Sequence, residues 1–196
     1  DKAFTITPDG CHTIADVLVD GLSVGAVTTY TFTAVTVSHT ISATFTPVSY
    51  TIVASAGAGG AIAPSGSVSA TCGVDKAFTV TPDACHTIAD VLVDGASVGA
   101  VASYTFPGVV AGHTIAASFA TKVLTILASA GTGGSIVPPG PVAVNCGSTQ
   151  TFAVTADPTY QTATVLVDAV SVGPAFGYKF TNVASDHSIS ASFVLQ

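Results

Sequence analysis

The stretch DKAFTITPDGCHTIADVLVDG at residues 1–21 returns with two substitutions as DKAFTVTPDACHTIADVLVDG at residues 75–95. The offset is 74 residues, and it holds along the whole chain without gaps. It relates three phenylalanines, for example, which are Phe4, Phe78 and Phe152. Self-similarity at a fixed period of this size is typical of an array of similar small modules.

The period divides the 196 residues into three parts. Residues 1–48 and 75–122 are identical at 33 of 48 positions, and the third copy is more diverged. We therefore predict an incomplete first repeat at 1–48, a second repeat at 49–122 and a third repeat at 123–196. The first repeat has no counterpart of residues 49–74 of the second.

Each repeat has the pattern of an all-β module. Alternating apolar and polar residues at 50–56 (YTIVASA) predict a strand, which the glycine-rich run 57–60 ends. Asp94-Gly95 is a strong signal for a two-residue hairpin turn. Six or seven short strands fit into 74 residues, and no helical stripe of useful length is present. The sequence predicts tandem small β-sandwich or β-grasp-like modules.

Composition excludes several classes of protein. Charged residues make up 8% of the chain, whereas about 25% is usual for a soluble domain, and the 4 Lys+Arg against 11 Asp+Glu give a net charge of −7. Such a chain cannot present the basic face that nucleic acid requires. No apolar run is long enough to predict a membrane span. Four cysteines in this composition favour an oxidising compartment, so we expect an extracellular or cell-surface location.

A family resemblance follows from the repeated motifs. The pattern ASAGxGGxIxPxG, then FxVTPD, IADVLVDGxSVG, YTF and HTIxASF resembles the divergent internalin-type B-repeat. That family occurs in tandem in secreted and cell-surface proteins of bacteria and archaea. The resemblance implies an extracellular β-module that serves as a stalk, spacer or adhesin element, and it implies no catalytic residues.

The cysteines predict two kinds of bond. Cys72 and Cys85 lie at the end of one predicted strand and just after the next, so we expect an intra-repeat disulfide that closes a short loop. Cys11 and Cys146 each lack the second cysteine of their own repeat. Cys11 has no counterpart of Cys72 in its repeat, and Cys146 has no counterpart of Cys85. Each could therefore serve as the other's partner, which suggests a disulfide between Cys146 of one subunit and Cys11 of the next. The alternatives are unpaired cysteines or pairing within one chain.

Motifs that suggest an enzyme or a metal site have simpler interpretations. Residues 95–99 match the G-x-S-x-G pattern of a nucleophile elbow, but no helix is predicted after them, so a β-hairpin arm is favoured. The recurring histidines indicate a structural hydrogen bond at the start of the last strand; they are His39, His113 and His187. Asp90 and Asp94 are too few for a calcium site and indicate a solvated face. We predict no catalytic residue, no metal and no cofactor.

These observations predict a structural protein. We expect an extracellular filament or cell-surface stalk whose subunits join head to tail through the incomplete first repeat, by strand complementation and an inter-subunit disulfide. Its partners are copies of itself, and any glycan is expected to be O-linked because no N-x-S/T acceptor is present. The alternative is an adhesin or spacer fragment of a longer surface protein that binds a carbohydrate or a protein. A contact specific to the third repeat is expected where that repeat departs from the others, at Pro139, Pro141, Tyr160 and Phe176.

Overall fold

The structure is a computed structural model that describes all residues from Asp1 to Gln196. It contains 21 β-strands and no helix. The strands of the second repeat are β6 (Ser49–Ala56), β7 (Gly60–Ala63), β8 (Gly66–Thr71), β9 (Lys76–Pro82), β10 (His86–Val93), β11 (Ala96–Ser97), β12 (Ser103–Phe106) and β13 (His113–Thr121). The third repeat follows the same order with β14 (Val123–Ala130), β15 (Gly134–Val137), β16 (Gly140–Asn145), β17 (Gln150–Ala156), β18 (Tyr160–Val167), β19 (Val170–Gly173), β20 (Gly177–Phe180) and β21 (His187–Leu195). The first repeat has five strands, which are β1 (Lys2–Thr5), β2 (His12–Val19), β3 (Leu22–Ser23), β4 (Thr29–Phe32) and β5 (Ile41–Pro47).

Each complete repeat forms two sheets. In the second repeat a five-stranded sheet has the order β11-β10-β13-β6-β8, and a three-stranded sheet has the order β12-β9-β7. The third repeat has the same two sheets in its own strands. In both repeats the first and last strands lie side by side and run parallel. The pairs β6–β8, β9–β12, β14–β16 and β18–β21 are antiparallel. The sheets thus fall within residues 49–122 and 123–196.

The core of a repeat lies between its two sheets. In β14 the side chains of Ile126 and Ala128 are buried and their neighbours are exposed, as the alternating sequence predicts. They join one cluster with buried residues from the three-stranded sheet, among them Phe152 and Phe180. The all-β prediction is confirmed. The modules are β-sandwiches, since no helix is present to make a β-grasp-like fold.

Contacts divide the chain into two compact units. The first consists of Asp1–Gly57, Ala61–Thr81 and Asp90–Ala117, and the second consists of Ala58–Gly60, Pro82–Ala89 and Ser118–Gln196. Each unit contains one disulfide. The division falls inside the second repeat, so the compact units differ from the three sequence repeats.

The disulfides correct both pairings that the sequence suggested. Cys11 bonds to Cys72 and Cys85 bonds to Cys146, each across 61 residues, and no cysteine is free. The predicted Cys72–Cys85 and Cys11–Cys146 bonds are therefore wrong. Residues 72 and 85 are close in sequence, but strand β9 lies between them and extends the chain by roughly 20 Å.

The backbone around each disulfide explains the observed pairing. The Val48 amide donates to the Cys11 carbonyl at 2.8 Å, and the Cys72 amide donates to the Val48 carbonyl at 2.9 Å. Lys122 makes the same two bonds with Cys85 and Cys146, each at 2.9 Å. The residue that links one repeat to the next thus holds the two cysteines together. Each disulfide joins a repeat to the repeat that follows it.

The hairpin turn between β10 and β11 is as predicted. Asp94 has a φ of 50° and Gly95 a φ of 81°, the left-handed conformation that a type I′ turn requires at both central residues. The β10–β11 pairing across this turn confirms that the G-x-S-x-G match at 95–99 is a hairpin arm. In the third repeat the second turn residue is Ala169, at a φ of 64°.

Replacing Ala169 with glycine is expected to stabilise the third repeat. A side chain is strained in the left-handed conformation and glycine is not, so the gain should be about 1 kcal/mol. Thermal unfolding monitored by circular dichroism measures it. The reciprocal control is Gly95→Ala, which should destabilise the second repeat by a similar amount. Equal unfolding temperatures for all three proteins would contradict the assignment of these turns.

Candidate functional site

Residues 1–48 form only part of a sandwich. Their strands β1–β5 correspond to β9–β13 of the second repeat, but these 196 residues contain no counterpart of β6, β7 and β8 before them. The sheets of residues 1–48 are accordingly reduced to β3-β2-β5 and β1-β4. The edge of β5 that would pair with a β6-type strand is open. So is the edge of β1 that would pair with a β7-type strand.

Core positions of the other repeats are exposed in the first repeat. Phe4 is 37% exposed, whereas the corresponding Phe78 and Phe152 are 1% and 0% exposed. The covering strands make the difference, because the local sequence around Phe4 and Phe78 is nearly identical.

Val35 shows the same contrast. It is 48% exposed, whereas Val109 and Val183 at the corresponding positions are each 1% exposed. Phe45, near the end of β5, is also 43% exposed. A cluster of exposed large apolar side chains on one surface usually marks a place where another surface binds.

These side chains form one apolar surface, which we call the open face. Adjoining depressions run along β1 and β5 and share several lining residues. The open face is defined here by six of the residues that line them, which are Phe4, Phe32, Val35, Val37, Ile41 and Phe45. It is the candidate functional site.

The second repeat shows what covers such a face. Strand β6 lies parallel to β13 with Ala54 opposite Ile115, and Ile52, Ala54 and Ile62 are buried. The Gly57 amide donates to the Ala117 carbonyl at 2.9 Å. In the third repeat, Gly131 donates to Ala191 at the same distance. The cover of the two complete repeats is therefore both apolar and hydrogen-bonded.

A histidine borders the open face. The His39 ring stacks on the Phe32 ring with centroids 4.8 Å apart, and its Nδ1 lies 2.7 Å from a carboxylate oxygen of Asp20. The other repeats have the same arrangement, with His113 on Asp94 and His187 on Asp168. The predicted structural hydrogen bond of the recurring histidines is confirmed.

The carboxylates of these pairs have lowered pKa values. Hydrogen bonds from the Thr114 amide and the His113 ring hold the pKa of Asp94 below its usual value. The Ser188 amide and the His187 ring do the same for Asp168. All three pairs are partly exposed to water.

The lowered pKa values predict acid sensitivity. A carboxylate whose pKa is lower in the folded state stabilises that state above its unfolded pKa of about 3.9, and the stabilisation is lost as the pH falls through the folded value. We expect the unfolding temperature to decrease as the pH drops below about 4. Asp94→Asn should reduce this dependence, and Asp157→Asn serves as the control. A pH profile unchanged by Asp94→Asn would contradict the assignment.

The two carboxylates of β10 have separate partners. Asp90 accepts a hydrogen bond from the Ser97 hydroxyl at 2.6 Å, and Asp94 pairs with His113. Asp16 and Ser23 repeat the first contact, also at 2.6 Å. The prediction of a merely solvated face is thus too simple for these residues. No group of three or more His, Cys or Asp residues is placed to hold a metal ion.

In the second and third repeats, the aromatic residue that begins β10 or β18 packs on a glycine. A Cβ on Gly59 would lie 2.5 Å from the His86 ring, and a Cβ on Gly133 would lie 2.3 Å from the Tyr160 ring. Residues 1–48 do not include the corresponding position, and there His12 pairs with Asp9 at 2.7 Å. In the second and third repeats this ring thus packs against the backbone of its own repeat.

Comparisons with known proteins return no relative. No protein-family model, no curated protein and no solved structure matches the chain. The resemblance to internalin-type B-repeats therefore stays a prediction. The structure contains no helix with the length and apolar character needed to cross a membrane.

Proposed function

We propose that this chain is a structural module of an extracellular filament or cell-surface stalk and that its first repeat is the joint. The open face accepts a strand segment of the β6–β8 type from a neighbouring subunit. The observation that supports this most directly is the exposure of Phe4, against the complete burial of Phe78 and Phe152. Two bonded disulfides and the scarcity of charge support an oxidising, extracellular setting.

The equivalent strands define the geometry of the joint. A donor strand would run parallel to β5, as β6 runs parallel to β13. The residue corresponding to Ala54 would face Ile41, which is the counterpart of Ile115. Alternating apolar side chains would then cover the open face while the donor backbone pairs with the open edge of β5. Strand addition of this kind combines main-chain hydrogen bonds with side-chain pockets.

Counting the segments limits how the joint can form. The 196 residues contain three faces of this type but two segments that cover them, at 49–74 and 123–148. Exchange of those segments between identical copies would cover one face and expose another. A neighbour that covers the open face must therefore supply a β6–β8-type segment other than residues 49–74 and 123–148, because both of those are engaged in their own repeats.

The joint contains no disulfide in this proposal. All four cysteines are bonded within the chain, so none is available to a neighbour. The predicted inter-subunit bond between Cys11 and Cys146 is not retained. Assemblies should therefore separate on a denaturing gel without reductant.

A peptide tests the joint directly. The peptide 49–74 with Cys72→Ser is expected to bind the oxidised chain, because it carries the residues that cover the equivalent face. The same peptide with Ile52→Asp is the matched control and should bind at least tenfold more weakly, since a buried carboxylate would have no partner. Isothermal titration calorimetry measures both. Equal binding of the two peptides, or no binding of either, would overturn the proposal.

An adhesin or spacer within a longer surface protein is the second candidate. In that arrangement a preceding segment of the same polypeptide would cover the open face. Electron microscopy of the protein in its native source distinguishes the two candidates. Filaments built from repeated short subunits support the joint between subunits, and a single long chain supports the spacer.

A further inference from the structure

The third repeat has a surface depression whose lining residues differ in chemistry from those at the corresponding positions of the first two repeats. Its lining includes Tyr160, Gln161, Thr162, Pro174, Phe176 and Gln196, and we call it the Phe176 pocket. It lies wholly within residues 156–196. It is therefore separate from the open face of the first repeat.

Phe176 is the most exposed large apolar side chain of the structure, at 91%. The corresponding residues of the first two repeats are Thr28 and Ala102, so the sandwich does not need an aromatic ring there. An exposed phenyl ring beside a depression is a surface suited to contact with a ligand.

The residues around Phe176 also depart from the repeat. At four lining positions the first two repeats share one residue and the third has another. The third repeat has Tyr160 in place of histidine, Gln161 in place of threonine, Thr162 in place of isoleucine and Pro174 in place of alanine. The sequence singled out Tyr160 and Phe176 as repeat-specific, and the structure places both on one pocket.

The pocket is aromatic, polar and uncharged. The Tyr160 ring is held against Gly133, where a Cβ would lie 2.3 Å from it. The Gln196 side-chain amide donates to the Tyr160 carbonyl at 3.3 Å. Gln161 and Thr162 add an amide and a hydroxyl, and no Asp, Lys or His lines the pocket.

We infer that the Phe176 pocket binds a neutral carbohydrate. The apolar face of a pyranose ring can stack on the phenyl ring of Phe176, since ring C–H groups are attracted to the negative face of an aromatic system. Its hydroxyl groups can exchange hydrogen bonds with the amides and the Thr162 hydroxyl. An acidic or basic sugar would find no charged side chain to pair with, so the neutral class is favoured.

Affinity electrophoresis tests the site in the full oxidised chain. Native gels would contain one of four neutral polysaccharides: a β-glucan, a starch-type α-glucan, a mannan or a galactan. We expect at least one of them to retard the chain. Phe176→Ala, which introduces the residue of the second repeat, should weaken that retardation at least tenfold.

The chain offers a matched control. Val170→Ala also removes an apolar side chain of the third repeat, 67% exposed, and also introduces the residue that the second repeat has, at Ala96. It should leave the retardation unchanged, and circular dichroism should show both variants folded. Absence of retardation by all four polysaccharides, or equal retardation of the two variants, would overturn the inference.

The same variants separate this inference from the proposed joint. Phe176→Ala should bind the peptide 49–74 as the unaltered chain does, because the open face lies in the first repeat. If Phe176→Ala instead reduces self-association and leaves polysaccharide binding unchanged, the pocket is a protein contact and the carbohydrate inference is wrong.

Discussion

Phe78→Ala is expected to destabilise the protein by about 3–5 kcal/mol, whereas Phe4→Ala should cost about 1 kcal/mol or less. Removing a buried phenylalanine loses its transfer free energy and leaves a cavity. Phe78 is 1% exposed, but Phe4 at the corresponding position is 37% exposed and has no β6–β8 segment over it. The two variants change the same residue in nearly the same local sequence. Their difference therefore measures what the missing strands contribute.

Denaturant unfolding followed by amide hydrogen exchange measures both effects within their own repeats. Val53→Ala, at a position 47% exposed, is the control for loss of an apolar surface residue in the second repeat. The experiment requires dilute protein, so that no neighbour covers the open face. Equal destabilisation by Phe4→Ala and Phe78→Ala would mean that the open face is closed in solution.

Removing either disulfide is expected to cost about 4 kcal/mol. In the chain-entropy description, a bond across about 60 residues removes this much freedom from the unfolded chain. The variants are the double substitution of Cys11 and Cys72 by serine and the corresponding change at Cys85 and Cys146. Each should lower the unfolding temperature by a similar amount, because the two bonds have equal sequence separation.

The pairing itself is read from a lysine-specific digest without reductant. Cleavage after Lys2, Lys76, Lys122 and Lys179 places Cys11 and Cys72 together in the fragment 3–76. The observed pairing leaves that fragment unlinked and joins 77–122 to 123–179. A Cys72–Cys85 bond would instead join 3–76 to 77–122, and that mass would contradict the structure.

The fold was largely predictable because its determinants are local. Alternation in each strand, the Asp94-Gly95 turn and the 74-residue period are all visible in the sequence. The β-sandwich follows from them once no helix is present. The hydrogen bonds of His39, His113 and His187 were predictable for a related reason, since recurrence at one position of a repeat indicates a role in the fold.

The pairing of the cysteines was not predictable in this way. Cys72 and Cys85 are 13 positions apart, yet each bonds to a cysteine 61 positions away. Strand β9 runs between these two cysteines and separates them in space. The backbone hydrogen bonds of Val48 and Lys122 hold each of them beside its distant partner. Neither feature has a sequence signature. A short separation indicates proximity only when no strand intervenes.

The candidate site was predicted in part. The incomplete first repeat at 1–48 predicted a joint formed by strand complementation, and the structure adds which side chains are exposed there. Tyr160 and Phe176 were identified as departures from the repeat, but their meeting at one pocket depends on how the strands of the third repeat pack. Pro139 and Pro141, the other two departures, do not line the pocket.

The most direct test of the joint is to complete the first repeat within the chain. Residues 49–74, with Cys72→Ser, are fused directly before Asp1, which preserves the 74-residue period. We expect the fused segment to protect the amides of β5 from hydrogen exchange, to stabilise the first repeat by several kcal/mol and to abolish binding of the free peptide 49–74. A fusion with Ile52→Asp in the added segment is the matched control. If the added segment exchanges like unfolded chain and β5 is unchanged, the open face is not a receptor for such a segment.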